Sequence, residues 1–377
     1  MNRFPLLRKF IFWSHLVIGL AAGVLILVMA ATGTVLSFER QITEAADRYP
    51  VEVKSQRLSV SELHQRLRDQ QPDARPSGYL VRSDPQRPVV FQFGREKSLF
   101  VDPYTGQVLG EGATGTREFF RTVTAIHRWL AMEGAARETS RAVMSAAALC
   151  FLFLLISGLF LWLPKRWTRK GVKAIATLQP RLKGRARDWN WHNALGLWFA
   201  LPLIVTVSTG LVIAYPWANE LLFKAAGEKP PERKGHRGRG GPGEAPVALP
   251  AGLDRAIAAA ASNDPDWRQI QFSFPRKKQL TLFVSDSHRG RPDLRREVTV
   301  DLTTGGIVET KDFASQSTGR RLRTWVRWIH TGEAGGWIGQ TISALASLAA
   351  VILIYTGFAL SFRRFFLKRR TSLGSRS

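Results

Sequence analysis

Histidine is the residue type in this chain best placed to do chemistry. Of seven histidines, four recur in matched surroundings. His15 in FWSHLVIG and His192 in WNWHNALG each enter a long uncharged run, with a glycine four residues later. His127 in RTVTAIHRW and His330 in RTWVRWIHTG each stand just ahead of another such run. The other three, His64, His236 and His288, lie in polar contexts and have no counterparts. A single histidine among Trp13, Trp129, Trp189, Trp191 and Trp328 would read as an interfacial side chain holding its polar tip in water. Four in a duplicated pattern reverse that preference, because an ionisable ring in or beside a membrane span is costly unless it serves a site.

The chemistry can be narrowed by what accompanies these rings. No two of the histidines are spaced three to five residues apart and no carboxylate joins them in the uncharged runs, where Cys150 is the single thiol, which disfavours zinc. A proton relay would want Asp or Glu within the same runs, and there are none. Two imidazoles opposed across a helical bundle are the axial set of a bis-histidine haem, whose iron passes single electrons without a protein acid or base. Cys150 is the only cysteine, so an intramolecular disulfide, a CxxC redox pair and a CxxCH haem attachment are all excluded. Any haem is therefore held without thioether links.

The elements that must position these rings are long apolar segments. Four windows contain no Asp, Glu, Lys or Arg: Phe10–Phe38, Ala142–Pro164, Trp189–Asn219 and Ala334–Phe362. Each exceeds the roughly 20 residues that cross a hydrocarbon core, and lipid offers no hydrogen bonds, so each reads as a transmembrane helix. The spans are placed at residues 10–38, 142–164, 189–217 and 336–362. The first is far longer than the apolar part of a cleaved leader and is read as a span.

Net charge is +25, but its placement argues against nucleic acid as the partner. Residues 1–9 hold three Lys/Arg, residues 165–188 nine against the single acid Asp188, and residues 363–377 six. In a four-span chain these segments share one side, and an excess of basic residues marks the cytoplasmic side. The reading is a multi-pass protein of the bacterial inner (cytoplasmic) membrane with both termini, the basic loop 165–188 and the basic tail 363–377 in the cytoplasm.

Residues 39–125 and 218–328 then lie outside the cytoplasm. The first opens on LSVSELHQRLRDQQP, a helix capped by Ser59 or Ser61 and ending near Pro72, followed by alternating strands in GYLVRS, PVVFQFG and KSLFVD, the turn DPYTGQ, and VLG. The second repeats this outline with LPAGLDRAIAAAASNDP, WRQIQFSFP, QLTLFVSD, REVTVD and LTTGGIV. Glu228–Pro246, EKPPERKGHRGRGGPGEAP, cannot bury a core and reads as a flexible loop.

Laid over each other, the halves match as span, module, span: a tandem duplication. Such a repeat implies a pseudo-twofold axis along the membrane normal, which brings equivalent residues to face each other at one depth. His15 would then pair with His192 near the cytoplasmic surface, and His127 with His330 near the outer one. Gly19 and Gly196 follow their histidines by one turn on the same face. Gly33 and Gly210 follow by 18 residues, five turns or about 27 Å, and so fall under the second pair. These four glycines either clear flat space for a porphyrin or let helices pack closely. Arg8 near the inner pair, and Arg121, Arg128 and Arg323 near the outer pair, are available to haem propionates.

The segments FVDPYTGQVLG and TVDLTTGGIVE resemble the closing hairpin of a PepSY module. HRWLAMEG with LLISGLFLWLPKRW, WHNALGLW, and IHTGEAGG with YTGFALSFRRF resemble the PepSY-associated transmembrane-helix family, the iron-regulated membrane proteins, and most closely its inner-membrane ferrisiderophore reductases. The similarity spans nearly the whole chain. It implies an α-helical membrane protein with a four-helix transmembrane bundle, two periplasmic α+β PepSY modules, haem b on His15, His127, His192 and His330, and delivery of electrons to periplasmic ferric siderophore. No nicotinamide or flavin fingerprint is visible, so the electrons come from an external donor, a quinol or a reductase. Two other readings stand beside this one: a non-catalytic membrane protein whose modules bind or regulate a periplasmic partner, and an inner-membrane transporter for iron or siderophore. The second of these is disfavoured by the lack of intramembrane charge.

Overall fold

The charge-free windows all become long helices, but not with the windows' own ends. The computed structural model describes residues 5–94, 97–164, 167–231, 249, 252–273, 279–286 and 291–367. In chain order its helices are α1 (Pro5–Leu36), α2 (Glu39–Ala46), α3 (Val60–Gln70), α4 (Thr114–Trp129), α5 (Ala136–Trp162), α6 (Arg169–Ala176), α7 (Gly184–Ala214), α8 (Pro216–Ala225), α9 (Leu253–Ser262), α10 (Thr318–His330) and α11 (Gly336–Phe362). The strands are β1 (Gly78–Arg82), β2 (Val89–Phe93), β3 (Lys97–Val101), β4 (Val108–Gly110), β5 (Gln269–Ser273), β6 (Gln279–Ser285), β7 (Arg295–Asp301) and β8 (Ile307–Lys311). Most of the loop 228–246 and of the basic tail lies outside the described residues, as do His236 and His288.

Four helices are long and apolar enough to cross a membrane: Leu6–Leu36, Ala136–Trp162, Gly184–Ala214 and Glu333–Phe366. The protein is a multi-pass membrane protein. Three of the helices begin earlier than the charge-free windows, at Pro5, Ala136 and Gly184, and so take in Arg8, Glu138, Arg141 and Asp188. A helix need not stop where lipid does, because long charged side chains on its end turns reach back to water.

The chain forms two compact units, one made of residues 1–39, 119–222 and 325–377, the other of residues 40–118 and 223–324. In the first, α1 packs against α5 and α11, and α7 packs against the same two. Thus α1 and α7 share one diagonal of a four-helix bundle and α5 and α11 the other, as the duplication requires. The interior is a stripe at helical spacing on each member: Ala22, Ile26 and Ala30 on α1, Leu203, Val207 and Leu211 on α7, with Phe151, Leu154, Ala350 and Leu353 between them. Opposite faces carry Val17, Val24, Leu201 and Ile342, exposed here and suited to acyl chains.

α6 was not anticipated within the basic segment 165–188. It is folded back onto α7 by Asn190, which is buried and whose amide donates to the carbonyls of Ala174 and Thr177 while its oxygen accepts from the Gln179 N–H.

In the second unit the two α+β modules share one sheet. The eight strands run β4-β3-β2-β1-β5-β6-β7-β8, all antiparallel. The repeat can be traced across it. Leu99 lies three residues before Asp102, faces Phe91, and Phe91 faces Tyr79. Val298 lies three residues before Asp301, faces Leu282, and Leu282 faces Phe272. Tyr79 and Phe272 are therefore equivalent, and they pair with each other, their rings stacked at 5.1 Å. The local twofold passes between them. All six side chains of this row are at most 1% exposed, packed under Leu63 and Leu67 of α3 and Ala256 and Ala260 of α9.

The shared Asp-x-x-Thr-Gly motif proves to be turn machinery. Asp102 Oδ1 accepts from the N–H groups of Tyr104 and Thr105, and Asp301 Oδ1 from those of Thr303 and Thr304. Gly106 and Gly305 then take φ of +70° and +74°, where a side chain would be strained.

Candidate functional site: two histidine layers in the bundle

Each of the four matched histidines lies against a hydroxyl and a glycine on a neighbouring helix. His15 on α1 places Nδ1 2.8 Å from Ser157 Oγ on α5, and His192 on α7 places Nδ1 3.0 Å from Thr356 Oγ1 on α11. His127, near the end of α4, stands 2.9 Å from Thr32 Oγ1 on α1, and His330, closing α10, stands 3.4 Å from Thr209 Oγ1 on α7. Within each half the traffic is reciprocal: the first span gives a histidine to the second and receives one from the helix that precedes it.

The glycine follows the hydroxyl directly in every case. A Cβ at Gly158 would stand 3.4 Å from His15 Cε1, and one at Gly357 3.6 Å from His192 Cε1. At Gly33 the distance to His127 Cε1 would be 3.7 Å, and at Gly210 the distance to His330 Cε1 would be 3.0 Å. Only at Gly210 would an added Cβ crowd the ring; at the other three the imidazole lies in ordinary contact distance of the helix. Gly33 and Gly210 thus fall beside the second pair of histidines, where the 18-residue spacing puts them. Gly19 and Gly196 sit elsewhere: a Cβ there would meet Leu154 Cδ2 at 3.8 Å and Leu353 Cδ2 at 3.7 Å.

The settings match between the halves, His15 with His192 and His127 with His330, each ring meeting a hydroxyl at the equivalent point of the repeat. Sequence reasoning missed the hydroxyls. A Ser/Thr-Gly pair stands near the C-terminal end of each of the four apolar helices, Thr32-Gly33, Ser157-Gly158, Thr209-Gly210 and Thr356-Gly357, and was itself a signal.

The arginines divide. Arg8 donates to the carbonyls of Leu161 and Leu163, at 2.7 and 3.1 Å, and so satisfies the exposed C-terminal end of α5. Arg128 lies over the Trp129 ring at 5.1 Å and Arg137 lies over the same ring at 4.2 Å. Burial, and then the charges of Arg141, Arg137 and Arg327, push the Arg128 guanidinium down. A group of like charges next to the His127 layer is stabilised by an anion. Arg121 lies on α4, six residues before His127, and Arg323 on α10, seven before His330; burial lowers the Arg323 guanidinium. Among the described residues no group of three or more His, Cys, Asp or Glu is arranged to hold a metal ion, and the matched histidines are imidazoles set against hydroxyls.

Asp188, one turn before His192 on α7, is fully buried. Its Oδ1 accepts from Arg187 at 2.8 Å and its Oδ2 from Arg363 at 2.6 Å, which ties α7 to the end of α11.

Fold and site together define a duplicated helical membrane protein that carries an antiparallel α+β unit between its spans. The chain belongs to the family of the PepSY-associated TM region, whose model matches residues 12–364. No curated protein matches the chain.

Proposed function

We propose that this protein is a di-haem b electron-transfer protein of the bacterial inner membrane that reduces ferric siderophore in the periplasm, with both termini in the cytoplasm. The observation that carries the reading is four histidines at equivalent points of a duplicated bundle, each ring set against a hydroxyl and a glycine of a neighbouring helix. His15 and His192 would hold one haem, and His127 and His330 the other. The donor chemistry fits: neutral imidazoles, no carboxylate or thiolate, and a glycine beside each ring. Haem iron supplies reversible one-electron exchange between Fe(III) and Fe(II).

What the chain's own residues do is hold, insulate and balance charge. Ile26, Phe151, Leu203, Leu211, Ala350 and Leu353 fill the bundle interior and keep water out of it. Arg128, with Arg137, Arg141 and Arg327 around it, offers the positive charge that propionates need. The net reaction takes one electron from an external donor, a quinol or a reductase, and gives it to the Fe(III) of the chelate. Hard oxygen chelators hold Fe(II) far less well than Fe(III), so reduction loosens the iron.

The test is the absorption spectrum of the detergent-purified protein. A sharp reduced α-band with about two haems per chain is expected from two ligand pairs. A colourless, well-folded preparation would sink the proposal. With haem present, oxidation of that band on adding a ferric siderophore under anaerobic conditions separates a reductase from a non-catalytic binding protein.

A further inference from the structure

We infer that Ser157, Thr356, Thr32 and Thr209 are positioning residues that lock the four histidines in the tautomer protonated on Nδ1 and so leave Nε2 as the ligand atom. A hydroxyl has one hydrogen to donate. Each of these hydroxyls lies within reach of a carbonyl one turn back on its own helix: Ser157 with Phe153 at 2.7 Å, Thr356 with Ile352 at 2.8 Å, Thr32 with Val28 at 2.6 Å and Thr209 with Val205 at 2.7 Å. With that hydrogen spent, the oxygen facing the imidazole can only accept, so Nδ1 must donate.

A second acceptor enforces the same choice for His330, whose Nδ1 lies 2.8 Å from the Thr206 carbonyl oxygen. Thr206 precedes the Thr209 hydroxyl by three residues on α7. A carbonyl has no hydrogen, so the ring nitrogen is again the donor. His15, His127 and His192 are held by the hydroxyls of Ser157, Thr32 and Thr356.

The consequence is that Nε2 of the neutral ring is the nitrogen left with a lone pair for a metal, since Nδ1 is turned to the hydroxyl. Partners of this kind orient a ligating histidine and raise its basicity, and their loss typically costs about 10- to 100-fold in metal affinity. The inference rests on the four histidines being haem ligands, and the experiment separates the two claims.

Full-length Thr356→Val and Thr356→Ser would be compared with the wild type, with Ser157→Ala on the opposite side of the same layer as a second probe. Thr34→Val is the control, since Thr34 bonds its own helix at Ala30 at 3.0 Å and touches no histidine. The measurements are the EPR g-values of the oxidised protein, the midpoint potentials, and haemin titration into haem-free protein. Thr356→Val and Ser157→Ala should shift the g-values and potential of one haem only and weaken haemin binding there by about tenfold. Thr356→Ser should restore both, and Thr34→Val should change neither. A haem-loaded wild type whose Thr356→Val and Ser157→Ala variants keep its g-values, potentials and haemin affinity overturns the inference alone. A wild type that takes up no haemin overturns the ligand reading and the inference with it.

Discussion

On the proposed reading His15 works with His192 and His127 with His330, and replacement of one member should cost a whole site rather than a fraction of each. Ala at His15 or His192 is expected to remove one haem, and Ala at His127 or His330 the other, halving the haem found per chain by pyridine haemochrome assay. Loss of both haems on any one change would contradict the layered pairing. Asp188 is the other residue on which much depends. It is a buried carboxylate between two partly exposed guanidiniums, and its removal leaves both charges without their partner. Asp188→Ala should lower the thermal midpoint of the membrane unit while Arg363→Lys, which keeps the charge, has a smaller effect. Equal loss from the two changes would make Asp188 a packing residue and no more.

Among the elements, the turns beside the histidines show how the halves differ. After α4 the chain reverses through Leu130 and Ala131, both left-handed at φ of 54° and 55°, whereas after α10 Gly332 does so at 76°. Left-handed backbone costs a residue with a Cβ about 1 kcal/mol. Ala131→Gly is thus expected to stabilise the protein by about that amount in denaturant unfolding, and a loss would show the turn to be relaxed. The start of α10 is held differently. Glu228 accepts from the Ser317 hydroxyl at 2.6 Å and from the Gly319 N–H at 3.0 Å, and these bonds, the hydroxyl first, hold its carboxyl below the ordinary value of 4.5. Stabilisation from this cap is whole above that value and fades as pH falls through the lower folded one. Hydrogen exchange in the first turn of α10 should accelerate over that range in the wild type but be insensitive to it in Glu228→Gln.

At the scale of the whole molecule, the continuous sheet makes the two modules one cooperative body. Tyr79 and Phe272 sit at its centre, on the local twofold, so damage to either should spread to both modules. Phe272→Ala removes a buried aromatic ring, a change that costs about 3–5 kcal/mol. Hydrogen exchange should then rise in β2 and β3 as well as in β6 and β7. Protection lost only from β6 and β7 would mean that the modules fold separately.

Much of this was legible in the residues. The charge-free windows require four helices because lipid satisfies no backbone group, and the alternating runs in each module became strands in the order written. Duplication gave the matched settings of the histidines, since equivalent positions of the two halves meet equivalent hydroxyls. Asp102 and Asp301 could be matched by eye, though their purpose as turn acceptors could not. What only the tertiary structure decided are the relations between segments distant in the chain. β1 joins β5 through backbone hydrogen bonds that no side-chain pattern announces. Asp188 looked like one acid in a basic loop until Arg363 came to it from the other end of the chain. Ser157, Thr356, Thr32 and Thr209 looked like ordinary small residues of apolar helices, because a helix hydroxyl can always bond its own backbone. Only the packing of one span against the next shows that the remaining lone pair of each is met by a histidine.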